Sequence, residues 1–231
     1  MYPSGNLFID APHGRLEAIL KEPPGGAAAA RGAALVLHPH PLHGGTMHNK
    51  VVFRTARGLN DAGLVTLRIN FRGAGQSTGT HDRAQGGEQE DARLALDHLA
   101  ASYPRLPLVV AGFSFGARVG LEVGTRDERV RALVGVGTPV SIPEREYDFS
   151  FLEECRKPLL FVHGSRDEFG AVADLRALAA RAPSEARARV EIIEGAGHFF
   201  DDQLEELTRV VREWAEGLAE ALEGGSAAPS A

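Results

Sequence analysis

Short β-type apolar runs alternate with amphipathic stretches along most of the chain, and this alternation constrains the fold more than any other feature. Runs at 33–37, 64–70, 108–111, 132–136, 159–163 and 190–193 have the length and apolar character of buried strands. Helical stretches lie between or after them, at about 49–62, 88–101, 115–123, 171–181 and 202–221. In the second of these, Ala92, Ala95, Leu96 and Leu99 recur at three and four residues, the stripe that one buried helix face requires. Strands that take turns with helices predict an α/β chain with a mainly parallel sheet, because each crossover lays a helix on one of its faces. Ahead of them, residues 7–9 and 16–20 flank the turn signal Pro12-His13-Gly14 and read as a hairpin.

The 231 residues suit one domain of α/β size, taken as 1–223, followed by a small polar tail, 224–231, expected to be disordered. A formal net charge of −6, with no basic block, argues against nucleic acid as a partner. The only cysteine is Cys155, which excludes an internal disulfide and a cysteine zinc site. No apolar run reaches the roughly 18–20 residues of a membrane span. The N-terminal MYPSGNLFIDAPHGRL lacks a basic start followed by an apolar core, so a cytoplasmic location is expected.

One junction carries chemistry. Gly112-Phe113-Ser114-Phe115-Gly116 follows the apolar run LVVA and opens a helical stretch. A serine with glycine two residues to either side, between strand and helix, is the pattern of a nucleophile elbow. The turn is so sharp that side chains at the flanking positions would meet backbone. The plainer reading of Ser114 is a helix N-cap.

A serine hydroxyl needs a base to take its proton, and the base needs an acid to orient it. Asp167 stands in His163-Gly164-Ser165-Arg166-Asp167, just after the run LLFV, and His198 in Gly195-Ala196-Gly197-His198, just after VEII. Both positions fall in loops at the same predicted sheet edge as Ser114. Glu168 and Asp174 are rivals for the acid; Arg166 reads as solvated. An acyl-transfer site also requires N–H donors for an oxyanion. Phe115, the residue after the serine, supplies one. The other is expected from the loop His38 to Met47, where Pro39 and Pro41 have no N–H. Leu42 and His40 remain, with Leu42 preferred.

Taken together, the segments HPHPLHGGTM (His38 to Met47), Asn49-Lys50-Val51-Val52, Asn70-Phe71-Arg72-Gly73-Ala74-Gly75-Gln76-Ser77, Gly87-Glu88 with Asp91, the elbow, HGSRD and GAGH resemble the α/β-hydrolases. More narrowly they resemble the small bacterial serine hydrolases near the dienelactone-hydrolase and Xaa-Pro-peptidase-like branches. The resemblance covers about residues 7–217. It implies a sheet of about eight strands with helices on both faces, hydrolysis through an acyl-enzyme, and no cofactor; a small-molecule ester is the substrate expected. In it Ser114, Asp167 and His198 match nucleophile, acid and base. Only about 20 residues separate the runs near 134 and 160, so no large cap domain is expected, although Tyr147, Phe149, Phe151 and Leu152 could form a short lid.

The same residues admit other readings. His38, His40 and His43 have the spacing H-x-H-x-x-H, with His48 close by, which a metallohydrolase could use. Leu42 stands where such a motif needs an aspartate. Arg72 to Ser77 lacks the Lys-Ser/Thr ending of a phosphate loop and reads as a tight turn that Arg72 helps to pin. A binding protein that had kept only the scaffold is expected to lose the serine or histidine. A peptidase, amidase or thioesterase could run on the same three residues. Phe113, Phe115, Phe199 and Phe200, beside those residues, point to short or aromatic acyl groups. The stripe Leu204, Leu207, Val210, Val211, Trp214 and Leu218 reads as sheet packing, and a monomer or homodimer is expected.

Overall fold

The computed structural model describes residues 5–81, 86–141 and 147–224. Eight strands form one sheet in the order β1-β2-β4-β3-β5-β6-β7-β8. They span β1 Gly5–Ala11, β2 Gly14–Lys21, β3 Gly32–Leu37, β4 Leu64–Ile69, β5 Leu108–Phe113, β6 Val130–Val136, β7 Leu159–Gly164 and β8 Arg189–Ile193. From β4 to β8 every pairing is parallel, while the β1–β2 hairpin joins β4 antiparallel.

The helices are α1 Lys50–Asp61, α2 Gly87–Ser102, α3 Phe115–Arg126, α4 Val172–Ala179 and α5 Leu204–Gly224. The alternation of the strands sorts them into two layers. Leu35 and Leu37 of β3 face α2 and α3, in a core with Leu96, Leu99, Val119 and Leu175. Their neighbours Ala34 and Val36 face α1 and α5, in a second core with Val51, Leu59, Leu207 and Val211. The apolar stripe of α5 therefore packs inward: Leu207 and Val211 are fully buried and Trp214 is partly so.

Among the described residues, the connection from β6 to β7 adds one 3-10 turn, Ser150–Glu154, and no cap domain. Phe149, Phe151 and Leu152 were candidates for a short lid. They are instead buried in the core beside α3, because this turn packs its apolar side chains against the helix. The stretch read as a tail, 224–231, lies outside the described residues apart from Gly224, with which α5 ends.

Candidate active site

Strand β5 runs two residues further than its apolar core suggests, to Phe113, and delivers Ser114 directly to the first turn of α3. Ser114 has φ 55° and ψ −120°, a conformation that L-residues rarely adopt. The strain is of the order of 1–3 kcal/mol. It is held in place by the Ser114 N–H, which donates to Val136 O at 2.9 Å. Both flanking glycines are required. A Cβ on Gly112 would lie 2.2 Å from Gly116 O, and one on Gly116 would lie 2.5 Å from His38 O.

Asp167 follows β7 and His198 follows β8, so parallel pairing with β5 brings all three to the same sheet edge. Both Asp167 oxygens lie against His198 Nδ1, Oδ1 at 3.0 Å and Oδ2 at 2.9 Å. The Phe169 N–H also donates to Oδ1, at 2.9 Å. This pairing makes Nδ1 the donor and leaves Nε2 as the acceptor nitrogen of the neutral ring. The His198 ring is clasped by Phe113 at 4.8 Å and Phe169 at 4.6 Å between centroids. Gly137, at φ 51°, admits it: a Cβ there would come within 3.2 Å of the imidazole.

The rival acids are placed elsewhere. Glu168 accepts from the backbone N–H of His198, at 3.3 Å, while Asp174 and Arg166 are exposed. A residue whose part could not be read from the sequence is His163. Fully buried on β7, it bonds Gly170 O through Nε2 at 2.8 Å and sets Nδ1 3.5 Å from Asp167 Oδ2. Its only signal was position, four residues before the acid on a buried strand.

The loop after β3 curls around one carbonyl, His40 O, which accepts from the N–H groups of His43 and Gly45. His38 anchors its start. Phe71 N–H donates to Nε2 at 3.0 Å, so the proton sits on Nδ1 and is donated to Pro39 O at 2.6 Å. Burial is the main cause that lowers the His38 pKa to about 4, and the ring is neutral. The 39–40 peptide is trans, so its N–H, on His40, points away from His38.

Of the two donors left open, His40 lines the cavity at this edge. The Leu42 N–H, preferred from sequence, is engaged by His40 Nδ1 at 3.3 Å, and its side chain is 54% exposed. The cause is local: Pro41 starts a 3-10 turn that rolls Leu42 outward. With the ring nitrogens of His38 committed, H-x-H-x-x-H has no three free lone pairs. Among the described residues no three His, Cys, Asp or Glu are placed to hold a metal ion.

The cavity has a volume of about 200 Å³, and Ser114, Phe115, His198, His40, Tyr147, Phe169 and Phe199 line it. None of the described lining residues is Asp, Glu, Lys or Arg. Phe113 and Phe200, expected beside the substrate, are buried in the core under the site. Arg72 does pin neighbouring segments, bonding Asp91 on α2 through its Nε at 3.1 Å and Nη2 at 2.7 Å.

A protein from Coxiella burnetii described as an alpha-beta serine hydrolase homologue is 33% identical and superposes with a TM-score of 0.81, over 92% of this chain and 99% of its own. A Xanthomonas campestris protein, described as a serine hydrolase without a lid, is 30% identical with a TM-score of 0.83, covering 94% and 97%. An uncharacterised protein of Rickettsia prowazekii is 35% identical over 90% of this chain and 87% of its own. The family model for the alpha/beta hydrolase domain matches residues 32–223. With its eight-stranded, capless sheet and that match, the chain belongs to the alpha/beta hydrolase domain family.

Proposed function

We propose that the protein is a carboxylesterase-type serine hydrolase acting on small, uncharged esters through an acyl-enzyme. The observation that carries this reading is the meeting of Ser114 and His198 at one cavity, with Asp167 bonded to the far nitrogen of the imidazole. Ser114 Oγ attacks the acyl carbonyl while His198 Nε2 takes its proton and then passes it to the leaving alkoxide. Asp167 holds the ring's tautomer and stabilises its positive form. Phe115 N–H, one of the unpaired amides at the start of α3, and His40 N–H receive the oxyanion. Water deprotonated by His198 attacks the acyl carbonyl and releases the acid.

The small-ester part of the reading rests on the cavity's size and its aromatic, uncharged lining. A carboxylate or phosphate on the acyl chain would lose hydration with no cation among the described lining residues to meet it. The test is a panel of p-nitrophenyl acetate, butyrate, benzoate and hemisuccinate, with matching thioesters and anilides, on the native protein and Ser114→Ala. Uncharged esters should lead the hemisuccinate by at least roughly tenfold in kcat/KM, and Ser114→Ala should lose several orders of magnitude in rate. Anilides or thioesters turned over faster than every ester would replace the ester assignment. An unchanged rate in Ser114→Ala would remove the serine mechanism.

A further inference from the structure

Gly87-Glu88 and Asp91 stand out in the sequence, yet the steps above use neither. Both acids lie at the start of α2 and both take a side chain from the segment after β4. Asp91 holds Arg72, and Glu88 Oε1 lies 2.7 Å from His81 Nδ1. This second histidine–carboxylate pair is nearly closed to solvent, with the His81 side chain 6% exposed and that of Glu88 4%.

The far face of the His81 ring meets the oxyanion side of the site. Its centroid is 4.7 Å from the ring of His40 and 6.0 Å from that of Phe115, and those two rings are 4.8 Å apart. All three spacings fall within the range of packed aromatic pairs. The two residues whose N–H groups are assigned to the oxyanion thus rest their side chains on one ring, which is gripped from behind by a buried carboxylate.

We propose that His81, held by Glu88, is a positioning residue that fixes the separation and aim of the His40 and Phe115 N–H donors; this rests on the serine-hydrolase reading above. His40 needs such a support more than Phe115 does. Phe115 is fixed by α3, whereas His40 sits between Pro39 and Pro41 in a loop. His38 holds that peptide at one end, through Pro39 O, and the ring of His81 supports the His40 side chain at the other. Donors aimed at a developing oxyanion act through their placement, so a small tilt lowers transition-state binding more than ground-state binding.

The experiment compares native protein, His81→Ala and His81→Gln by steady-state kinetics on p-nitrophenyl acetate. It adds inhibition by phenylboronic acid, whose boron forms a tetrahedral adduct with a nucleophilic serine. Both variants remove the ring, and His81→Gln keeps volume and a hydrogen-bond donor for Glu88, which guards against a failure to fold. The expected result is a fall in kcat of roughly 10–100-fold with KM within about threefold, and boronate affinity weakened by a similar factor. Wild-type kcat and boronate affinity in a folded variant would overturn the proposal, as would a rise in KM alone. Ser114→Ala, run alongside, separates the two claims: an active Ser114→Ala sinks the underlying mechanism, while an inactive one beside an unaffected His81 variant sinks only this inference.

Discussion

Asp167 grips His198 with both carboxylate oxygens, at 2.9 and 3.0 Å from Nδ1, from a position with no side-chain exposure. Buried this way, the carboxylate cannot trade its partner for water. The imidazole is therefore committed to one tautomer and one orientation.

Asp167→Asn keeps the shape and replaces the acceptor with a group that can present N–H. His198 would then favour the tautomer with its proton on Nε2, the wrong nitrogen for a base. A loss of roughly three to four orders of magnitude in kcat is expected, with thermal unfolding little changed. The same kinetics with Glu168→Gln, whose partner among the described residues is a backbone N–H, should stay within a few-fold of native.

Two glycine substitutions should have opposite signs. Gly116→Ala places a methyl 2.5 Å from His38 O and 2.6 Å from Leu37 O, where β3 and α3 approach backbone to backbone. More than about 2 kcal/mol of stability should be lost, measured by urea unfolding. Gly217→Ala meets nothing within 4 Å on α5 and should add about 0.5–1 kcal/mol through helix propensity.

His38 makes stability depend on pH. Its folded pKa of about 4 lies below the unfolded value of 6.5, so between those limits the unfolded chain binds more protons. The contribution is whole above about pH 6.5 and is lost as pH falls towards 4, up to about 3 kcal/mol. Urea unfolding at several pH values should show this slope in the native protein. In His38→Gln it should be flatter, with lower stability at pH 7 because the ring's two backbone bonds are gone.

Much of this was legible in the residues, and the reasons are physical. The uniformly apolar run of β3 and the spacing of Ala92, Leu96 and Leu99 announced a sheet covered by helices on both faces, because a strand buried on both sides carries no polar alternation and a packed helix carries one apolar stripe. Gly112 and Gly116 announced the elbow because no other residue fits where backbones touch. What was not legible depended on how loops roll. Leu42 was preferred to His40 on sequence, but in the 3-10 turn at Pro41–His43 its N–H is engaged by His40 Nδ1. Phe149, Phe151 and Leu152 could cover a cleft or fill a core, and only tertiary packing against α3 decides. The contact of His81 with His40 joins residues 41 apart across two loops, and no local spacing encodes it.

The central claim is that Ser114 is an activated nucleophile and His198 its base. Labelling with a fluorophosphonate, followed by peptide mapping and repeated on Ser114→Ala and His198→Ala, tests it most directly. One label per chain is expected on the Ser114 peptide, none in Ser114→Ala, and labelling slowed by at least roughly a hundredfold in His198→Ala. Label carried by a different residue, or an esterase-active protein that does not react at Ser114, would contradict it.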